Sequence, residues 1–363
     1  MEPIISDRRV SLRDIGKALG ISHVSVSLAL RDKGAVSEKL RTEVKRMAEA
    51  LGYQPDPMLS SLARYRMNKS ARPVQAVMGW INAWQQPDKL RSLGEFDAYW
   101  KGASSAAGKL GYHLEEFRLG GDVTPECLHR ILSARGIRAL LLPPHQCEPN
   151  WGSFPWEKYY VVRFGNSLHT PQTHLVTADQ TMNTSLAFEK ILERGYQRIG
   201  FVTNEVHMKV RGHLFEAGYL IAQKSVEEKR RLPVFSFVGM KPSQAGSNFS
   251  TWLKQYRPDA IITDVPDILK ILDTLGLQVP DDIAVAATTV IDTAVDAGID
   301  QHPEEIGRVG TLLLNSIIND GACGTPRIFR RILIEGSWVQ GGSMPPKSIP
   351  AMPKRKPKIL LKI

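Results

Sequence analysis

Between residues 11 and 52 the apolar positions recur at helical spacing in two blocks, with a third block between them that breaks the period. In SLRDIGKALG, Ser11 stands in an N-cap position. Leu12, Ile15 and Leu19 follow three and four apart, and Gly20 sits where a helix stops. After Ser37, EKLRTEVKRMAEAL places Leu40, Val44, Met47 or Ala48, and Leu51 on one stripe, and Gly52 ends it. The stretch between reads SHVSVSLALR. There Val24, Val26, Leu28 and Leu30 alternate with Ser25, Ser27 and Ala29, the period of a half-buried strand. A strand between two helices would have no partner nearby. A short helix capped by Ser22, after a tight Gly20-Ile21-Ser22 turn, fits better. At about 100° per residue, Val26, Ala29 and Leu30 share a face that closes a small core with Leu12, Ile15 and Leu40. Val24, Leu28 and Arg31 point the other way. This is the shape of a helix–turn–helix, whose second helix enters the DNA major groove, where apolar side chains read thymine methyl groups. The competing reading is a three-helix packing module with both faces buried, but about 50 residues offer little core for a second face.

Beyond Pro55 and Pro57 the pattern changes. PMLSSLARYR can form a short helix with proline near its start. From residue 76 apolar runs alternate with amphipathic stretches. Strands are predicted at 76–84, 112–119, 138–144, 159–165, 198–204, 232–237, 260–264, 283–290 and 327–336. Helices are predicted at 95–111, 124–136, 181–195, 207–223, 248–257, 266–276 and 303–319. Such alternation implies an α/β body of doubly wound parallel sheets, and the number of units suggests two lobes. Ligands in such folds bind at the carboxyl ends of the strands, here facing an interlobe cleft.

The 363 residues and their 42% hydrophobic content suit two or three domains with a sizeable core. The net charge of +10 is segregated. Residues 1–72 hold 14 Lys/Arg against 8 Asp/Glu, and residues 344–363 hold 6 basic residues and no acidic one. The middle is nearly neutral, so the charge fits a phosphate-binding head on a globular body. The proline- and lysine-rich end, MPPKSIPAMPKRKPKILLKI, is expected to be disordered. No run of 18 apolar residues spans a membrane, and MEPIISDRRV lacks a signal-peptide core. Three cysteines suit a reducing cytoplasm.

Chemistry beyond binding finds little support. Cys127-x-His129 and His145-x-Cys147 hint at zinc, but one intervening residue is too few for the usual spacing. On a helix, Cys127 and His129 would point about 200° apart. No GxSxG, HExxH or GxxxxGK[ST] stretch occurs, so no catalytic residue, metal or cofactor is expected.

Taken together, the helical head, the proline-bounded linker and the two-lobed body resemble the lactose-repressor family of bacterial transcription regulators. The resemblance runs from about residue 10 to 343. Its most specific residues are Ser11, Gly20, Ser22, Ser25-Val26-Ser27, Val36-Ser37, Thr42 and Leu51-Gly52-Tyr53-Gln54-Pro55. Lesser echoes are GYQRIGFV, GLQVPDDIAV and DQHPEEIGRVG. The resemblance implies a DNA-binding domain at 1–56, a hinge helix and linker at 57–73, a body at 74–343 for effector binding and dimerisation, and a tail at 344–363. By position, His23, Val24 and Leu28 are the base-reading side chains, and Ser11, Ser22, Ser25 and Ser27 the phosphate contacts. Leu28 departs from the arginine often found there, which points to a thymine or methyl-rich step at that base pair. Leu62 matches the leucine that wedges into the minor groove, with Leu59 beside it. In the body, Phe215, Thr263 and Thr289 fall where the family often places an arginine, an asparagine and an aspartate on sugar hydroxyls. Trp84, Phe96, Phe164, Asp179, Asn204, Asp264 and Gln301 fall near strand ends or cleft positions. The effector stays open between a modified sugar, another metabolite and none. The resemblance implies a homodimer on a double-stranded, near-palindromic operator, more often repressing than activating. The alternative from another class is a sugar-binding or sugar-modifying protein with an incidental basic head.

Overall fold

The computed structural model describes residues 10–30, 37–51, 53, 76–210, 212–237 and 242–347. The predicted hinge with Leu59 and Leu62, Arg31, and the tail beyond Lys347 lie outside them. The chain divides into two compact units, residues 1–74 and 75–363.

Among the described residues the first unit contains three helices, α1 (Leu12–Leu19), α2 (His23–Leu30) and α3 (Glu38–Ala50). Gly20 ends α1 in the left-handed region (φ 67°), which glycine adopts without a Cβ penalty. Ile15, Val26, Ala29, Val44 and Ala48 form the buried core, with Leu12, Leu30, Leu40 and Tyr53 packed around it. The period-two stretch is therefore helical. Its Val26 and Ala29 are fully buried, and no described residue pairs with it as a strand.

The second unit has two six-stranded sheets. In the first, the strands β1 (Ala76–Asn82), β2 (Tyr112–Arg118), β3 (Ala139–Leu142), β4 (Tyr160–Phe164), β5 (His174–Ala178) and β11 (Arg331–Ile334) run in the order β11-β5-β4-β3-β1-β2. All its pairs are parallel. One face packs on α4 (Gly94–Lys109) and α11 (Pro303–Asn319), with Trp80, Phe164, Tyr99, Ile306 and Leu314 in the core. Those helices cross closely because Gly102 faces the Glu304 carbonyl and Gly307 faces the Tyr99 carbonyl, and a Cβ at either would collide with backbone. The other face is covered by α5 (Pro125–Ala134) and an aromatic group, Trp151, Phe154 and Tyr159.

The second sheet runs β12-β10-β9-β8-β6-β7, from β6 (Ile199–Asn204), β7 (Phe235–Phe237), β8 (Ala260–Thr263), β9 (Ala284–Ala287), β10 (Gly298–Asp300) and β12 (Ser337–Val339). It is parallel except for β12, which runs against β10 with Asp300 opposite Ser337. Its helices are α6 (Gln180–Glu193), α7 (Glu205–Val210), α8 (Leu214–Ala222), α9 (Pro242–Tyr256) and α10 (Ile268–Thr274). The chain passes between the lobes near Asp179, near Gln301 and near Gly336. Helix α11 and strand β11 thus return to the first lobe after most of the second is built.

Several expectations need correction. The helix predicted at 207–223 is two helices, because Gly212 and His213 both have positive φ (66° and 59°). The final strand is shorter than 327–336, and β5, β10 and β12 were not anticipated. Packing also runs past 343. Met344 is buried, Tyr196 Oη donates to the Pro345 carbonyl at 2.8 Å, and Lys347 Nζ pairs with Asp259 at 2.6 Å.

Candidate functional site

Two arrangements carry functional geometry, one in each unit. In the first unit, Ser22 begins α2 by accepting the Ser25 amide at 3.0 Å, an N-cap bond, and the two hydroxyls lie 2.9 Å apart. Ser22, His23 and Val24 are exposed, while Ser25, Ser27 and Leu28 are half-buried. Val24 is 54% exposed although it is aliphatic, and the opposite side of the same helix is sealed. The helix therefore presents a short apolar and hydroxyl-bearing face to the outside, on a unit with excess positive charge. Ser11 is differently engaged. Its hydroxyl donates to the Asp14 carboxylate at 2.6 Å and its amide to the same oxygen at 2.8 Å. Both of its donors serve the start of α1.

In the second unit, the strands of both sheets end at a cleft between the lobes. A cavity of about 440 Å³ is walled by Trp84, Phe96 and Tyr99 and by the polar side chains of Gln146, Asn166, Ser167, Thr177, Gln180 and Gln301. A neighbouring cavity of about 320 Å³ is lined by Thr263, Asp264, Thr288, Thr289 and Asp292, and shares Leu93, Glu95 and Phe96 with the first. Gln301 is held by a bond from its amide to the Thr288 carbonyl at 2.8 Å. Trp84 is fixed by its indole N–H on the Pro144 carbonyl at 2.9 Å. Buried Asn166 Nδ2, a donor, and Gln180 Oε1, an acceptor, have no partner among the described residues. Buried polar groups left in that state are costly. His145 also lines the wall. Its Nε2 accepts the Ala83 amide at 3.0 Å, and burial pushes its pKa down to about 4, so the imidazole is neutral.

The predicted cleft residues thus divide. Trp84, Phe96, Asp264, Thr289 and Gln301 line it. Phe164 does not: it is fully buried in the first lobe, stacked on Tyr99 at 5.5 Å. Its side chain shares a face with Val162 toward α4 and α11, so the strand pleat turns it into the core. Phe215 is likewise in the core of the second lobe. Asp179 caps α6 by accepting the Met182 amide at 3.0 Å, and Asn204 accepts the Val206 amide at 2.9 Å; neither is among the residues lining the two cavities. Glu95, His145, Gln146, Asn166, Ser167, Thr177, Gln180 and Asp292 were missed. Gln146, Asn166 and Ser167 lie only a few residues past predicted strands, where the rule for ligands at carboxyl ends could have found them. His129 is engaged with Tyr159 Oη at 2.7 Å, and among the described residues no three His, Cys, Asp or Glu are placed to hold a metal. No helix among them is long and apolar enough to cross a membrane.

Comparison with known proteins places both units. Residues 11–56 match the family described as bacterial regulatory proteins, lacI family, and residues 188–344 match the periplasmic binding protein-like domain. The chain is 21% identical over 334 residues to the HTH-type transcriptional regulator MalR of Streptococcus pneumoniae, covering 89% of this chain and 97% of that one. Among solved structures it is similar to a transcriptional regulator CelR–cellobiose complex, at 20% identity and TM-score 0.56, over 92% of this chain and all of that one. It is also similar to the lac repressor dimer bound to operator and the anti-inducer ONPF, at 15% identity and TM-score 0.52, over 93% of this chain and all of that one.

Proposed function

Because the chain belongs to the lacI family of bacterial regulatory proteins and is a DNA-binding transcription regulator, we propose that it is a cytoplasmic repressor that grips a near-palindromic operator as a homodimer. In this reading α2 lies in the major groove, with His23, Val24 and Leu28 at base edges and Ser22, Ser25 and Ser27 on phosphates. Ser11 sets the start of α1 beside them. Leu59 and Leu62, in the 57–73 linker, wedge the minor groove and kink the duplex. A small molecule in the interlobe cleft shifts the lobes, and that shift changes the order of the linker and hence operator affinity.

The observation that carries the reading is Val24, more than half exposed on a helix whose Val26 and Ala29 are fully buried. A valine held in water gains nothing for the fold, and it gains apolar contact when a thymine methyl covers it. The cleft supports the second half. About 440 Å³ is within the range of small-ligand sites, and it joins an aromatic wall to a few convergent polar groups. The cellobiose in one solved neighbour, and the operator and anti-inducer in another, support the same assignment. The wall of Trp84, Phe96 and Tyr99 favours an occupant with an apolar or aromatic face over a simple sugar.

Selection of binding sites by the full-length protein tests this. The expected motif is two half-sites related by a two-fold axis. Val24→Ala is expected to relax discrimination at the same position of both half-sites and to leave binding to random DNA unchanged. A motif without a repeat, or identical motifs from both proteins, would refute the assignment of α2.

A further inference from the structure

Besides the three places where the chain passes between lobes, a loop of the second lobe reaches the first. Asp292, in the loop between β9 and β10, accepts the Gly94 amide with Oδ1 at 2.9 Å and the Glu95 amide with Oδ2 at 3.0 Å. These are two of the unpaired amides at the start of α4, so the carboxylate of one lobe caps the first long helix of the other. Two further features are built for this contact. Asp292 has φ of 59°, a conformation that aspartate tolerates better than most residues with a Cβ. At position 94 a Cβ would stand 3.0 Å from Asp292 Oδ1 and 3.2 Å from Ile291 Cγ2, so glycine lets the loop come close. The capped turn also carries Glu95 and Phe96, which line both cavities of the cleft.

We propose that Asp292 is an interlobe latch: its bonds to the first turn of α4 hold the cleft closed, and they set how readily it opens to admit and release an occupant. Separating the lobes at this point must break both bonds, and an occupant that displaces Glu95 or Phe96 pulls on the turn that the latch holds. The link from latch to operator affinity rests on the reading of the cleft as the effector site, whereas the latch itself does not.

The full-length protein tests it. Cys127 and Cys323 are replaced by serine, one spin label is placed on exposed Cys147 in the first lobe, and another on Lys254→Cys in the second. Pulsed electron paramagnetic resonance then reads the distance between lobes. Asp292→Gly removes the carboxylate and keeps the backbone conformation. Gly94→Ala keeps the carboxylate and crowds the contact, without removing any bonded group. Loss of the cap in Asp292→Gly is expected to raise the open population by about tenfold, seen as a longer and broader distance distribution, and Gly94→Ala to shift the distribution the same way by less. Combining the two should add little to Asp292→Gly alone, because they act on one contact. An unchanged distribution in both variants would overturn the latch. If the distances lengthen, the latch stands, and operator affinity in the same variants then tests the coupling separately. Unchanged operator binding at that point would refute the cleft as a control site and leave the latch intact.

Discussion

His145 makes a quantitative prediction about acid. It follows β3 in the turn that forms the cleft wall, is 4% exposed, and accepts the Ala83 amide through Nε2. Its amide in turn donates to Ser167 Oγ at 2.9 Å. A proton on Nε2 would replace an acceptor with a donor facing an N–H, in a site that desolvates the cation. Burial therefore lowers the pKa from 6.5 to about 4. In the unfolded chain the ring takes its proton near 6.5, so below that pH the unfolded state binds a proton that the folded state refuses. The contribution to stability is complete above about pH 6.5. It is lost as pH falls from there to about 4, and below that nothing more is lost. The gap amounts to about 3 kcal/mol, and the residue is almost wholly buried, so solvent screening takes little from it.

Two measurements check this. Histidine carbon-13 resonances of the full-length protein, with His145 assigned by its loss in His145→Gln, should show one ring that stays neutral down to about pH 5. Urea unfolding of both proteins should then show the parent losing about 3 kcal/mol more than the variant between pH 7 and pH 4. Glutamine keeps a neutral acceptor near the Ala83 amide and has no proton to gain, so other titrating groups cancel in the comparison. A His145 resonance titrating near 6.5, or equal losses in the two proteins, would refute the argument. The same protonation would also place a positive charge in the cleft wall, so an occupant suited to a neutral wall should bind more weakly toward pH 4.

Leu28→Arg is expected to shift preference toward a G·C pair at one position of each half-site by about 1–3 kcal/mol; selected motifs identical to the parent's would mean that residue 28 does not meet a base edge. Gly102→Ala is expected to destabilise the body by about 3 kcal/mol or more, since the added methyl meets the Glu304 backbone and not a movable side chain; thermal unfolding at the parent's temperature would contradict the close crossing of α4 and α11. Simple hexoses and pentoses at millimolar concentration are expected to leave the melting temperature unchanged, because no Lys or Arg lines either cavity among the described residues to clamp paired hydroxyls. A clear shift with glucose, galactose, ribose or xylose, reversed by Gln301→Ala, would overturn that expectation. Leu62→Ala is expected to weaken operator binding more than binding to random DNA and to reduce duplex bending measured by fluorescence transfer; equal bending would remove the wedge.

What the sequence revealed, and what it hid, follow from how local the deciding contacts are. The head was readable because its core closes within Val10–Tyr53, so caps and helical spacing alone bring Ile15, Val26 and Val44 together. Even there the period-two stretch misleads until its neighbours are weighed, because Val24 is aliphatic and yet 54% exposed. In the body, the uniformly apolar strands such as Ala139–Leu142 and Ala284–Ala287 stand out. Strand β5 does not, since HLVTA carries polar residues that are buried through particular bonds. His174 Nδ1 accepts the Arg330 amide at 2.9 Å, across 156 residues of sequence, and no local pattern foretells that. The return of α11 and β11 to the first lobe is hidden for the same reason.

The cleft is hardest to read because it is assembled from single residues just beyond strand ends, and there the pleat decides more than residue type. Phe164 and Asn166 are two apart at the end of β4. The phenylalanine is the more tempting ligand contact on chemical grounds. Yet the strand's register turns it onto Tyr99 in the core, while the chain leaves the sheet before Asn166, which joins the lining of the cavity. The same logic separates Asp292 from Asp179. Both are aspartates accepting amides at a helix start, but Asp179 caps the helix that follows it in sequence, and Asp292 caps one that precedes it by 198 residues. Only the second bond spans the cleft. A carboxylate in a turn is therefore weak information by itself, and its role is decided by whose amides it accepts. On the reading proposed above, control is accordingly to be sought in contacts between the lobes, such as the bonds of Asp292 to the start of α4.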